Sequence, residues 1–165
     1  MTINLTDIRS AVIDYVNDSV TTSVSSLVAD VPNAISPNEG FTFSVTASNA
    51  AAPTGIQLVN VVYHLKVASG SVAKLQVPTT PIARSGSRTS DPQLTVGNYV
   101  TEMYLFPSDN VLEVGDSDTV AGLRGKAYAV GQATITFEVY ADIDLGFVFP
   151  RTTSDPDSIR LVNVV

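Results

Sequence analysis

The sequence predicts an all-β protein, an antiparallel β-sandwich of about eight strands with an N-terminal helical arm. Three observations carry that expectation. Val, Ala, Thr and Ser dominate while charged residues make up 15% of the chain, and β-branched side chains pack well on a pleated surface but lose rotamer freedom in a helix. The segments "FTFSVTAS" and "ATITFEVYADID" alternate inward and outward residue types along their whole length, the period of a strand with one face in a core. Clusters of Gly, Pro, Ser and Asp punctuate the chain between such segments, as turns do in a sandwich or barrel.

The one helix candidate comes first. Over residues 6–20, "TDIRSAVIDYVNDSV", Ile8, Val12, Val16 and Val20 recur four apart, with Ile13 and Tyr15 beside the stripe and Asp7, Arg9, Asp14 and Asp18 largely elsewhere. That period is helical. Thr6 is placed to cap the first turn, although no Glu or Gln stands three residues on to complete a capping box. The Ser- and Thr-rich "TTSVSSLVADVPNAISPNEG", broken by Pro32 and Pro37, reads as a connector. Residues 1–37 are therefore expected as arm and connector, and 38–165 as the sandwich.

The strands follow in order. Phe41, Phe43, Val45 and Ala47 share one face of the first, with Thr42, Ser44, Thr46 and Ser48 on the other. In "IQLVNVVYHLKV", Val59, Val61, Tyr63, Leu65 and Val67 share one parity while Ile56 and Leu58 lie on the opposite one, which predicts a bulge near Leu58 and Val59 or a strand covered on both faces. A short strand over 72–77 turns Ala73, Leu75 and Val77 inward. The polar stretch 78–92, "PTTPIARSGSRTSDP", carries Arg84 and Arg88 and reads as a long flexible or partner-seeking loop. "NYVTEMYLF" is aromatic on both faces; "VLEV", "GLRGKAYAV", "ATITFEVYADID", "GFVF" and "IRLVNVV" complete the set. The longest of these puts Ala133, Ile135, Phe137, Val139, Ala141 and Ile143 on the inward face.

Ten letters are written almost twice. "PTGIQLVNVV" at 53–62 and "PDSIRLVNVV" at 156–165 are each preceded by G-F-x-F and a polar spacer. The length leaves no room for a full tandem domain, so the pattern is either reused strand vocabulary or a duplicated strand-turn-strand unit. A duplicated unit has two physical uses. Both copies can sit in one domain about an approximate twofold, with Leu58 and Leu161 in equivalent core slots. Alternatively the terminal copy is donated to a sheet edge of another subunit. The apolar ending requires a home in either case, and packing within its own domain is the preferred reading.

Chemistry is sparse. Without cysteine there is neither a disulfide nor a thiolate site. A net charge of −7 with nine scattered Lys and Arg argues against a duplex-binding face, so no nucleic-acid partner is expected. No apolar run approaches about 18 residues, and no basic start precedes an apolar segment; no membrane partner is expected either. His64 is the single histidine and shares the polar parity of Lys66, which reads as a surface or hydrogen-bonded strand position. Neither a G-x-S-x-G elbow nor a phosphate-binding glycine motif occurs. No catalytic, cofactor or metal residue is assigned. The pairs Asp116 and Asp118, Asp142 and Asp144, and Asp155 and Asp157 are the positions at which a structural calcium could find oxygens.

The stretch "PNEGFTFSVTASNAAAPTGIQLVNVVYHLKV" resembles the opening strands of immunoglobulin-like modules of the CARDB type, where a turn glycine leads into an alternating strand ending at Asn. In general style, with an arm and a long loop, the chain is similar to decoration (cement) proteins of tailed-phage capsids. That resemblance implies a non-enzymatic structural subunit located in a virion, a homo-oligomer whose partners are itself and other structural subunits. The residues expected to make those contacts are Ile8, Val12 and Val16 of the arm, Arg84 and Arg88 of the loop, and Ile159, Leu161, Val162, Val164 and Val165 of the terminal strand. The alternative expectation is an extracellular adhesion or ligand-binding sandwich, stabilised by calcium, whose contact loops are 84–91 and 107–118.

Overall fold

The computed structural model describes residues 20–26, 35–49, 57–113, 115–144, 148–153 and 158–165, and within them the chain forms eleven strands in two sheets. One sheet holds, in spatial order, β1 (Val20–Ser26), β2 (Gly40–Asn49), β8 (Ser117–Ala127), β4 (Ala73–Gln76) and β6 (Tyr99–Val100). The other holds β10 (Val148–Thr153), β9 (Gly131–Asp144), β3 (Gln57–Ala68), β7 (Glu102–Phe106) and β5 (Ile82–Arg84), with β11 (Ser158–Val164) also against β9. All strand pairs are antiparallel.

The alternation read from the sequence builds the core. Phe41, Phe43, Val45 and Ala47 from one sheet meet Tyr63, Leu65, Val67, Ile135, Phe137, Val139 and Ala141 from the other, all buried. The parity change in β3 is a bulge: its register against β9 shifts between Val59 and Val62, and Asn60 takes a left-handed φ of 53°. Asparagine tolerates that conformation because its short polar side chain can bond locally; here Nδ2 donates to Asp142 Oδ2 at 2.8 Å. Leu58 before the bulge and Val61, Tyr63 and Leu65 after it thereby all reach the core.

Three segments differ from expectation. Within the stretch 78–92, read as a loop, Ile82–Arg84 forms strand β5 against β7. Val20–Ser26, read as the helix end and connector, is strand β1, an edge strand paired along its length with β2. An edge strand has only one partner to match, so Thr and Ser suffice. "NYVTEMYLF" is not one strand but two: the chain leaves the first sheet after Val100 and enters the second at Glu102, which accounts for aromatics on both parities. The rest of the arm, including Ile8, Val12 and Val16, lies outside the described residues.

The repeated decapeptide flanks a single strand. β3 pairs with one side of β9 and β11 with the other; both run antiparallel to it and so parallel to each other. Leu58 stands opposite Ile143 and Leu161 opposite Thr134. The two copies are thus offset along β9 by an odd number of residues. Val164 is buried in the core, Ile35 N donates to Asn163 O at 3.0 Å, and Val165 N donates to Ile35 O at 2.9 Å.

Two outcomes are predicted. Gly125 leaves room for the Phe41 ring, and a Cβ there would collide with that ring and approach the Lys74 carbonyl oxygen to 2.8 Å. Gly125→Ala should lower unfolding free energy by about 1–3 kcal/mol in urea titrations. Deleting residues 159–165 strips one side of β9 from Gly131 to Thr136 and opens the core at Val164, so the cooperative thermal transition followed by circular dichroism should be lost, not merely the association state.

Candidate functional site

The outer face of the six-stranded sheet carries a cross-strand row. Arg84 of β5 pairs with Tyr104 of β7, Tyr104 with His64 of β3, and His64 with Glu138 of β9. His64 has the outward parity expected, yet it is only 7% exposed. Its ring stacks on Tyr104 at 4.3 Å between centroids and lies 5.9 Å from the tilted Tyr140 ring. Nε2 is 3.0 Å from Glu102 Oε2, and Nδ1 is 3.8 Å from Glu138 Oε1. A histidine so enclosed, with carboxylates at both nitrogens, is a packing and hydrogen-bonding element of the sheet face. Tyr140 is pushed up to about 12, first by burial and then by Glu138 and Tyr104, and Tyr104 is raised by burial and by Glu102. Phenols held neutral in this way are poor nucleophiles at ordinary pH.

The Arg84 and Arg88 loop is braced rather than open. Ser85 N donates to Pro92 O at 2.9 Å, Asp91 N to Arg88 O at 3.0 Å, and Leu94 N to Ala83 O at 2.8 Å. The Asp91 carboxylate accepts from Arg88 N at 2.9 Å, and Arg84 Nη1 donates to the Asp91 carbonyl at 2.9 Å. Arg84 also lies over the Phe106 ring, 5.4 Å from its centroid, an electrostatically favourable placement. Arg88 stays exposed. The two arginines wall a hollow of about 490 Å³ together with Asn60, Phe106, Asn110 and Asp142. The bulge thus brings Asn60 to the loop, a proximity that sequence spacing does not show.

On the outer face of the five-stranded sheet lies a cluster the sequence reading missed. The cations looked scattered because they are distant in the chain. Cross-strand pairing places Lys74 of β4 directly opposite Lys126 of β8, with Arg124 opposite Gln76 two residues along on the same face. Lys74 Nζ is 5.5 Å and Lys126 Nζ 5.7 Å from the centroid of Tyr128, and Lys126 is also 5.8 Å from that of Tyr99. The two rings meet edge to face at 6.0 Å. Arg124 borders a neighbouring hollow of about 410 Å³. Among the described residues the ion pairs are those of His64, and none involves these three cations. The only legible signal was the alternation of "AKLQ" against "LRGKA", which assigns the cations to outward parities without saying that the strands adjoin.

Of the remaining contact candidates, Ile159, Leu161 and Val162 lie in β11 against β9, Val164 is in the core and Val165 is exposed. Ile8, Val12 and Val16 are outside the described residues, as are Asp155 and Asp157. Among the described residues no three His, Asp or Glu side chains converge as a metal ligand set.

No protein-family model matches the chain, and no curated protein sequence matches it. Solved structures offer distant likenesses. One, described as "AvmM Catalyzes Macrocyclization in Alchivemycin A Biosynthesis", is 14% identical with a TM-score of 0.48 over 89% of this chain and 88% of that one. The human F-spondin reeler domain is 10% identical with a TM-score of 0.38 over 86% and 92% of the two chains. A type II cohesin domain from the cellulosome of Acetivibrio cellulolyticus is 15% identical with a TM-score of 0.38 over 84% and 96%. None of the three carries an activity or partner to this chain at those scores.

The tyrosine shifts give a pH prediction. The folded pKa of Tyr140, about 12, lies above its ordinary value of 10.0, so between those values the folded state binds more protons than the unfolded one. The stability from keeping this phenol neutral is complete below the ordinary value and is lost as pH rises toward about 12. Urea midpoints should fall across that window. Tyrosinate absorbance should rise in separate steps that Tyr140→Phe simplifies.

Proposed function

We propose that this chain works by association and not by catalysis, as a structural subunit of a virion shell or comparable assembly in a decoration (cement) role. The observation that carries the reading is the Lys74 and Lys126 pair. Like charges directly opposite on adjacent strands are destabilising, and these two stand unneutralised on a chain whose net charge is −7. An acidic protein surface laid over them removes the repulsion, and a neighbouring copy of so acidic a chain can supply it. Tyr99 and Tyr128 add flat, amphipathic contact area of the kind enriched at interfaces. Charge complementarity of this sort sets encounter rate and register more than bulk affinity, which suits repeated, ordered contacts.

A second reading, an extracellular adhesion or ligand-binding module, is favoured by the braced Arg84 and Arg88 hollow, since a preorganised loop loses little entropy on binding. Calcium stabilisation belongs to that reading.

Sedimentation velocity across protein dilution and ionic strength tests the choice. Association is expected at low salt and should weaken as the Debye length shrinks from about 10 Å near 0.1 M to about 3 Å at 1 M. Lys74→Glu and Lys126→Glu should abolish it while leaving the thermal midpoint within a few degrees of the parent. Deleting residues 1–19, with Ile8, Val12 and Val16, should lower the order of the oligomer. A chain that remains monomeric at every salt concentration, and that binds an acidic glycan through Arg84 and Arg88, would instead establish the module.

A further inference from the structure

At one end of the sandwich the two sheets part over a cleft of about 610 Å³. Its floor is Tyr63, a β3 residue 1% exposed whose ring packs on Phe137 at 5.6 Å. The Tyr63 hydroxyl is buried and has no hydrogen-bond partner. Such a group is ordinarily satisfied, because it has given up water without replacement.

The walls differ from the floor. Pro81, Ile82 and Phe106 present apolar surface, while Asp109 and Asp118 present carboxylates, and among the described residues neither Lys nor Arg lines the cleft. Asp118 holds an inward position: its cross-strand partner on β2 is Ala47, which is fully buried. Its carboxyl is raised by burial and by the charges of Asp109 and Asp116, and Tyr63 is raised by burial and then by Asp118 and Asp109. Hydroxyl and carboxylates therefore share one negative field. Asp109 is anchored by accepting from Val111 N at 3.3 Å.

We propose that this cleft binds a primary ammonium group on an alkyl stem, with Asp109, Asp118 and Tyr63 Oη accepting its hydrogens and Phe106, Ile82 and Pro81 packing the stem. An ammonium has three donors and no acceptor, which matches three acceptor groups in a site without a cation. Calcium fits less well: it takes six to eight oxygens, and no third acidic side chain or histidine joins these two among the described residues. The ammonium has two sources, a free amine or the lysine of an extended chain. The second is geometrically open because β8 pairs with β4 only from Arg124 to Ala127, leaving its cleft-side edge without a strand partner from Ser117 to Gly122 among the described residues. The inference uses none of the residues on which the association reading rests.

The experiment is a titration of the full chain with n-pentylammonium, followed by tyrosine fluorescence and by amide shifts of residues 106–121, with n-pentanol as the uncharged control. Saturable binding of the amine alone is expected, weakened about tenfold or more in Asp118→Asn and in Tyr63→Phe. Tyr63→Phe should fold with an unchanged or higher thermal midpoint, since it removes an unsatisfied buried hydroxyl, so lost binding in that variant is not misfolding. A lysine-bearing extended peptide that competes with the amine identifies a chain as the source; a peptide that fails to compete identifies a free amine. Absence of saturable binding, equal binding of n-pentanol, or binding unaffected in both variants overturns the proposal.

Discussion

Strand β9 is the element on which the rest of the structure depends. Its fourteen residues pair with β3 on one side and with β10 and β11 in succession on the other, so its backbone hydrogen bonds hold the six-stranded sheet together. Its inward residues Ala133, Ile135, Phe137, Val139 and Ala141 are buried. Because pleat parity repeats every two residues, β9 dictates which residues of its neighbours reach the core. The β3 bulge is the accommodation to that demand: one extra residue, with Asn60 in a left-handed conformation, brings Leu58 and the Val61, Tyr63 and Leu65 series to the same side.

The shared "LVNVV" therefore does different things in its two places. In β3 the asparagine of "LVNVV" sits at the bulge and bonds Asp142. In β11 the equivalent Asn163 stands in unbroken register opposite Gln132. Local sequence is identical over five residues, so the difference comes from what each copy must match: β3 lies between β9 and β7, whereas β11 has β9 and a single bridge to Ile35. Tertiary context overrides local preference here, as it commonly does for strands.

Departures from ordinary satisfaction mark the surfaces with the most to gain from a partner. His64 is not among them, since its ring is enclosed by tyrosines and carboxylates. The paired lysines over Tyr128 and the unpartnered Tyr63 hydroxyl are. One opposes like charges and the other leaves a buried polar atom without a mate, as is also true of Arg84 Nε beside its own hollow, and such conflicts concentrate at functional sites. They lie on different parts of the sandwich, one on an outer face and one between the sheets.

Alternation along "FTFSVTAS", "VAKLQV" and "ATITFEVYADID" was enough to identify an all-β sandwich and the inward residues of those strands, and the parity change in "IQLVNVVYHLKV" left a bulge or a doubly covered strand as alternatives, because strand periodicity and side-chain burial are local consequences of backbone geometry. Arg88 was legible as a loop residue, but not Arg84 as the end of a strand nor the bonds that brace the loop after it. The neighbour of each strand was not legible: β8 meets β2 and β4 across long stretches of chain, and a period of two says which face a residue takes without saying what lies beside it. For that reason the gathering of Lys74, Arg124 and Lys126, and the cleft joining Tyr63 to Asp109 and Asp118, were decided only by the tertiary structure, where pairing between distant segments converts separate residues into a shared electrostatic environment.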